Sequence, residues 1–232
     1  MRLRHLLSDS FHLFYPHNCM GCGSDILGQA EQLCLRCIHA LPHTEFEKYP
    51  LNPVERIFHG RVSLLAAHSE FYFAKGQLIQ ALMHQLKYRN NRLIGEWLGH
   101  LMGKHLLDSG RFSGIDYLVP LPMFPAKEFK RGYNQATVIC SGISGAMQIP
   151  VNTRQITRKT ATETQTLKNR TERWENVAGS FDCNNEQILQ GKTILLVDDV
   201  LTTGATLEAC AQTILKIPGT RLAIATLAIA SK

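Results

Sequence analysis

The sequence lacks long apolar runs, internal repeats and low-complexity tracts. Its longest apolar stretches fall well short of the roughly 20 residues that a membrane-spanning helix needs, so no transmembrane segment is expected. With 44% hydrophobic and 19% charged residues, the 232-residue chain has the composition of an ordinary globular protein, not of a disordered or fibrous one. It also lacks a G-x-x-x-x-G-K-[ST] motif, which argues against a P-loop nucleoside triphosphatase.

The amino-terminal stretch, Met1 to Phe14, lacks the small-residue cleavage site of a signal peptide, and Ser8, Asp9 and Ser10 interrupt its apolar positions. We therefore expect a short helix that packs on the body of the protein. A weak contact with a membrane surface or a partner is the alternative.

Seven cysteines are an odd number, which would leave one thiol unpaired in an oxidising compartment. Four of them form the pattern C-x2-C-x11-C-x2-C and can present four thiolates to one tetrahedral Zn²⁺. These are Cys19, Cys22, Cys34 and Cys37. Because four protein ligands leave no open position for water, we predict a structural zinc. A disulfide pair or a redox site is the alternative.

A short apolar run, Ile194 to Val197, predicts a strand that is buried on both faces. Asp198 and Asp199 follow it, and a T-T-G-A-T loop then leads into a predicted helix. The loop residues are Thr202, Thr203, Gly204, Ala205 and Thr206.

The T-T-G-A-T loop has the chemistry of a phosphate site. Its backbone amides and the helix N-terminus suit a monophosphate, and Gly204 allows the backbone to approach closely. Ionised carboxylates only accept hydrogen bonds, so Asp198 and Asp199 suit ribose hydroxyls or a divalent ion. A purely structural turn is the alternative.

A second buried strand is predicted at Ile115 to Pro122, where Pro120 and Pro122 cannot continue a central ladder. In a parallel sheet its carboxyl end would lie beside Asp198, at the edge where α/β proteins bind ligands. Leu222 to Ile229 is predicted to be a core strand that closes the chain.

Apolar residues at helical spacing predict helices over Leu78 to Leu86 and Leu93 to Met102. Three basic residues, Lys87, Arg89 and Arg92, cluster between them, and we interpret this cluster as a solvated turn.

Positive charge is concentrated in one region. Nine basic and three acidic residues lie from Lys127 to Arg173, which leaves 16 of each sign among the 25 basic and 19 acidic residues of the whole chain. We expect this region to face a polyanion or a diphosphate, with a solubilising surface as the alternative. The candidate nucleic-acid contacts are Lys127, Lys130, Arg131, Tyr133, Arg158, Lys159, Lys168, Arg170 and Arg173. Tyr133, Tyr88 and Trp174 offer candidate stacking faces for unpaired bases.

Several motifs, taken in order, together resemble the ComF family, also called ComFC or double-zinc-ribbon phosphoribosyltransferase-like proteins. They are the four-cysteine ribbon, L-K-Y at Leu86 to Tyr88, V-P-L-P followed by R-G-Y-N-Q at Arg131 to Gln135, a basic R-x-x-x-T-x-x-Q…R-x-x-N segment, and the terminal D-D-x-x-T-T-G-x-T. The chain departs from the family pattern at Tyr133, where phenylalanine is common, and at Lys127, where arginine is usual.

The resemblance implies an α/β fold, in which a type I phosphoribosyltransferase-like parallel-sheet domain with helices on both faces is preceded by a small zinc ribbon. We accordingly expect the amino-terminal segment and zinc ribbon over residues 1–42, a linker over 43–60 and the phosphoribosyltransferase-like domain over 61–232. Within that domain, a basic hood is expected at about residues 123–176.

The resemblance also implies a cytoplasmic competence protein for natural transformation that handles incoming single-stranded DNA. In the family the two acids hold the ribose of phosphoribosyl diphosphate (PRPP), which binds with Mg²⁺, and the loop holds its 5′-phosphate. Implied partners are single-stranded DNA, PRPP or a related phosphosugar, and other competence proteins such as a DNA-translocating helicase.

An active phosphoribosyltransferase is the alternative function. It would transfer phosphoribose from PRPP to an unidentified acceptor. Arg131, Lys127 or Arg158 would then stabilise the departing pyrophosphate.

Overall fold

The computed structural model describes residues 17–25, 31–158 and 179–230. The helix expected at Met1 to Phe14 lies outside these ranges. So do the candidate contacts Lys159, Lys168, Arg170 and Arg173 and the candidate stacking residue Trp174. Within the described ranges no helix is long and apolar enough to cross a membrane.

Helices and strands alternate along most of the described chain. The helices are α1 (Leu35–His39), α2 (Pro53–Phe58), α3 (Leu78–Tyr88), α4 (Arg92–Ser109), α5 (Pro125–Arg131), α6 (Gln135–Met147), α7 (Glu186–Leu189) and α8 (Ala205–Leu215), with a 3-10 turn at Phe46–Lys48. The strands are β1 (Ala67–Phe73), β2 (Tyr117–Pro120), β3 (Ile156–Arg158), β4 (Phe181–Cys183), β5 (Thr193–Leu201) and β6 (Arg221–Ala230).

The main sheet has the strand order β1-β6-β5-β2, and every neighbouring pair is parallel. Successive residues of β5 pack to opposite sides: Leu195 and Val197 join one core cluster, whereas Ile194 and Leu196 join the other. The strand is therefore buried on both faces, as its continuous apolar run predicts.

Helices cover both faces of this sheet. On one face, α3, α4 and α6 contribute Leu82, Leu98 and Ile139 to the core. On the other, α2 and α8 contribute Phe58 and Ile214. This arrangement confirms the predicted α/β fold with a parallel sheet between two layers of helices.

Helices α4 and α6 are in contact through their backbones because glycines face the partner helix. A Cβ atom at Gly99 would lie 2.3 Å from the Ile139 carbonyl oxygen, and one at Gly142 would lie 2.0 Å from the Glu96 carbonyl oxygen. The amino end of α6 is also tied to the end of β2, since the Asn134 side chain caps the helix and donates to a carbonyl just after that strand.

The segment from 43 to 60 is part of the core, so the expectation of a linker is wrong. Asn52 caps α2 by accepting hydrogen bonds from two amides of its first turn, and Pro53 occupies the first helical position. The side chains of Phe46, Val54 and Phe58 are buried in the core. Pro53 therefore begins a helix that packs on β1.

The segment from Val151 to Ile156 is only partly paired. Val151 makes an isolated parallel bridge with Leu118, and pairing resumes at β3, which lies antiparallel to β4. This small ribbon of β3 and β4 places Arg158 at its end.

Candidate functional site

The carboxyl ends of β2 and β5 meet at one edge of the sheet. Pro120 pairs with Val197, and the Leu121 amide donates to the Val197 carbonyl at 2.8 Å. Asp198 and Asp199 therefore lie beside the residues that follow β2, as the sequence predicts. The Asp199 amide donates to Asp198 Oδ1 at 2.8 Å, which fixes the orientation of that carboxylate.

The two aspartates differ in their surroundings. Burial raises the pKa of Asp198 to about 8, and the neighbouring charge of Asp199 acts in the same direction. The charges of Lys87 and Arg158 oppose this shift. Asp199 instead forms an ion pair, with its Oδ2 atom 2.9 Å from Lys87 Nζ. A divalent cation such as Mg²⁺ would fit this pair, because its charge would favour the ionised form of Asp198 and carboxylate oxygens are the ligands that this ion prefers.

The loop between β5 and α8 leaves the first turn of α8 without a side-chain cap from its N-cap residue, Gly204. Thr202 and Thr203 are exposed, and the Thr203 hydroxyl is 3.4 Å from the Ala205 amide. Thr206 lines the cleft at the ends of the strands. The Ala205 amide donates to that hydroxyl, so the helix dipole and the other amides of this turn are what the loop can offer to an anion.

Gly204 serves the fold in a different way from the one expected. Its φ of 79° is strained for other residues. A Cβ atom here would also lie 3.0 Å from the Phe58 ring and 3.1 Å from Ile57 Cγ2, both on α2. A larger residue would therefore disturb the packing of the loop on α2.

Four basic side chains line the same cleft of about 230 Å³ as the aspartates: Lys87, Lys127, Arg131 and Arg158. The interpretation of Lys87 as part of a solvated turn is wrong, because its ammonium group pairs with Asp199. The signal for its role was the L-K-Y motif. Arg89 and Arg92 are exposed, as that interpretation predicts.

Arg158 enters the cleft between two aromatic rings. Its guanidinium carbon lies 3.8 Å from the centroid of Phe124 and 5.2 Å from that of Phe181. Burial lowers the pKa of the Arg158 guanidinium, while the charge of Asp198 opposes the shift. Its Nε atom is buried, and no described residue accepts a hydrogen bond from it. Arg158 is therefore a positioned cation with donor capacity for an anionic ligand.

Tyr133 is a core residue, so the expectation that it offers a stacking face is wrong. Its side chain is buried, and its hydroxyl donates to the Leu86 carbonyl. The Arg92 guanidinium carbon lies 4.8 Å from the ring centroid. The exposed aromatic side chains nearby are Tyr88, at 65% exposure, and Phe129, at 92%. Sequence reasoning missed Phe129, which stands between basic residues on α5.

A second, basic groove of about 400 Å³ adjoins the cleft, and its lining residues are Lys87, Tyr88, Asn90, Lys127, Lys130 and Arg131. Arg131 Nη1 donates to Gln135 Oε1 at 2.8 Å, and its guanidinium carbon lies 5.7 Å from the centroid of Tyr88. Helix α5 has no buried residue, so Lys127 and Lys130 are open to solvent. The groove combines cations with an aromatic face.

The four cysteines of the predicted ribbon come together, with their sulfur atoms all within 4.8 Å of one another. Backbone amides donate to Cys19 Sγ from Cys34 at 3.2 Å and from Gly21 at 3.4 Å. This donor set fits a structural Zn²⁺, because it supplies four thiolates and no open position. The ribbon rests on α3, where Gln85 Nε2 donates to the Met20 carbonyl at 2.8 Å.

Comparisons with known proteins agree with this geometry. Residues 130–231 match the family described as "Phosphoribosyl transferase domain". DNA utilization protein YhgH of Escherichia coli (strain K12) is 30% identical over 141 residues, which cover 60% of this chain and 61% of the relative. This chain therefore matches less than two thirds of that relative's length.

Two further relatives carry competence names. Competence protein F of Haemophilus influenzae is 26% identical over 143 residues, which cover 60% of this chain and 62% of the relative. Competence protein ComFC of Bacillus subtilis is 33% identical over 99 residues, which cover 43% and 38%.

Among solved structures, a purine phosphoribosyltransferase from Pyrococcus horikoshii Ot3 aligns with a TM-score of 0.39 and 19% identity over 57% of this chain and 74% of that one. The fold is given by the parallel sheet and by the match to the phosphoribosyl transferase domain. The resemblance predicted from the motifs is confirmed: the chain has relatives named DNA utilization protein YhgH, competence protein F and competence protein ComFC, it matches a phosphoribosyl transferase domain, and four cysteines cluster near its amino terminus.

Proposed function

We propose that this protein acts as a cytoplasmic competence protein that handles incoming single-stranded DNA and binds PRPP, or a related phosphosugar, with Mg²⁺. The names of its relatives and its phosphoribosyl transferase domain support the competence role. The observation that carries the proposal is the cleft at the end of β5, where two carboxylates and four basic side chains share one small space.

Each part of the cleft matches one part of PRPP. Asp198 and Asp199 are acceptors for the ribose hydroxyls or ligands for Mg²⁺. The amides at the start of α8 suit the 5′-phosphate. Arg158 and Lys127 would neutralise the diphosphate, and Arg158 has a buried donor that no described residue uses.

The basic groove supports the DNA part of the proposal. Lys127 and Lys130 can neutralise backbone phosphates, while the exposed ring of Tyr88 offers a stacking face. Because the groove shares Lys87, Lys127 and Arg131 with the cleft, a DNA strand and a phosphosugar would contact some of the same basic side chains. Other competence proteins, such as a DNA-translocating helicase, are proposed partners.

An active phosphoribosyltransferase is the second candidate. The three cations Arg131, Lys127 and Arg158 line the cleft with the aspartates, which favours it because departing pyrophosphate needs such neutralisation. Release of pyrophosphate from PRPP in the presence of candidate acceptor bases tests this candidate, and an absence of release with all of them would leave PRPP as a bound ligand alone.

Calorimetry tests PRPP binding. We expect PRPP to bind more tightly with Mg²⁺ than without it, ribose 5-phosphate more weakly, and ribose hardly at all. Asp198→Asn combined with Asp199→Asn keeps the side-chain size but removes the anionic acceptors, so binding should be lost. The control is Asp108→Asn, an exposed change of the same chemistry on α4. Undiminished affinity in the double variant would refute the site.

A salt titration tests DNA binding. Affinity for single strands should exceed that for duplex and fall steeply with salt. Lys127→Glu with Lys130→Glu should weaken binding to all sequences and lower the salt slope by about 0.7 for each phosphate that is no longer neutralised. Lys104→Glu, an exposed change on α4, is the matched control. Equal binding by all three proteins would mean that the groove is only a solvated surface.

A further inference from the structure

A second cluster of side chains that could hold a metal ion lies beside β1, outside both the cleft and the cysteine ribbon. Glu70 Oε1 is 2.9 Å from His43 Nδ1 and 2.8 Å from His105 Nδ1. One possible ligand atom from each of the three residues lies within 4.8 Å of the other two. His43 pairs with Phe71 beside β1, and His105 is on α4, so three separate segments bring the cluster together.

The second oxygen of the Glu70 carboxylate, which does not face His43 or His105, contacts a buried histidine. His68 is fully buried, and its Nε2 atom is 3.0 Å from Glu70 Oε2. On its other side, His68 Nδ1 is 3.4 Å from Glu47 Oε2, and Glu47 is buried as well. Such outer contacts fix the direction of a metal-binding carboxylate, and in metalloproteins they matter nearly as much as the ligands.

The exposure of the cluster is graded. The side chain of Glu70 is 1% exposed, whereas those of His43 and His105 are 31% and 35% exposed. A metal ion can therefore reach the two imidazoles from solvent and meet a fixed carboxylate below them. Two imidazole nitrogens and one carboxylate oxygen are a donor set of intermediate softness, unlike the four thiolates of the ribbon.

We propose that His43, Glu70 and His105 form a second metal site, which binds a divalent transition metal such as Zn²⁺ and keeps a coordination position for water or an anion. Zinc bonds to nitrogen and oxygen of about 2.0–2.2 Å place tetrahedral ligand atoms roughly 3.4 Å apart. The present separations of 2.8 and 2.9 Å then have to open by about half an ångström. The half-exposed imidazoles can make that movement while Glu70 stays fixed.

The test uses untagged, full-length protein whose ribbon is already loaded with zinc. Co²⁺ is added, and bound metal is measured by dialysis and by its absorption spectrum. We expect about one further equivalent, with a spectrum that lacks thiolate-to-metal charge transfer because the site has no sulfur. His43→Ala and His105→Ala should each lower the Co²⁺ affinity at least tenfold.

Matched variants decide the outcome. His84→Ala, an exposed change on α3, should leave Co²⁺ binding unchanged. Circular dichroism checks that each variant is folded, and His43→Ala, which lies outside any helix, decides the question if His105→Ala does not fold. Absence of a further metal equivalent, or equal affinity in the parent and His43→Ala, would overturn the site and leave the cluster as a hydrogen-bonded part of the core.

Discussion

Replacement of Arg158 by methionine separates the binding role of this residue from any structural role. Methionine keeps an unbranched but shorter side chain that can follow the aliphatic part of Arg158 towards Phe124 and Phe181, and it removes the charge and every donor. If Arg158 is held ready for a phosphorylated ligand, the variant should lose affinity while it keeps its stability.

The two magnitudes follow from the surroundings of Arg158. Its contact with Phe124, at 3.8 Å, contributes about 0.5–2 kcal/mol, while a buried donor without a partner costs about 1–3 kcal/mol. These terms largely cancel, so the free energy of unfolding should stay within about 1 kcal/mol of the parent value. A hydrogen bond to a charged group contributes about 1.5–3 kcal/mol, so PRPP affinity should fall roughly 10- to 150-fold.

Two measurements on the same preparations check this prediction: urea unfolding for stability and calorimetry with PRPP and Mg²⁺ for affinity. Arg154→Met is the control, because Arg154 precedes the same strand but is exposed. It should change neither quantity. A loss of several kcal/mol in stability, together with unchanged PRPP affinity, would show that Arg158 is a structural residue and would refute the reasoning.

Three further changes test other parts of the molecule. Cys22→Ser should release about one equivalent of zinc in elemental analysis and lower the melting temperature, because structural zinc binding is folding free energy; retained zinc would contradict this. Lys87→Met removes a cation and frees the charge of Asp199, so calorimetry should show PRPP affinity about tenfold lower, and equal affinity would exclude a role for the ion pair. Gly142→Ala should lower the free energy of unfolding in urea by about 1–3 kcal/mol, because the added methyl group forces α4 and α6 apart. Gly145→Ala is the comparison, because a Cβ atom there meets only His100 at 3.6 Å, and it should stabilise the helix by about 0.5–1 kcal/mol. Similar effects of the two changes would contradict the close packing.

The parts of the fold that the sequence predicts are those encoded within a few neighbouring residues. The run from Ile194 to Val197 has to be buried on both faces, because every residue in it is apolar. The cysteine spacing is equally local. The position of Asp198 beside the end of β2 follows from the geometry of parallel sheets, which does not depend on side-chain detail.

The parts that the sequence does not predict depend on contacts between distant segments. Lys87 looks like one cation of a solvated turn until α3 is placed over β5, and Tyr133 looks like a surface aromatic until its hydroxyl meets Leu86. The prolines at 50 and 53 indicate a linker, although Phe46, Val54 and Phe58 on either side of them are buried in the core. The local sequence indicates neither which residues these side chains contact nor how far they are buried.

The backbone contact between α4 and α6 has a consequence for the cleft. At Gly99 and Gly142 each helix touches the main chain of the other, so no rotamer change there can absorb a sliding movement. Asn134, at the end of this rigid pair, holds the segment after β2 that forms one wall of the cleft. That wall is in place before any ligand arrives, and an incoming phosphosugar gives up little of its binding free energy to ordering it.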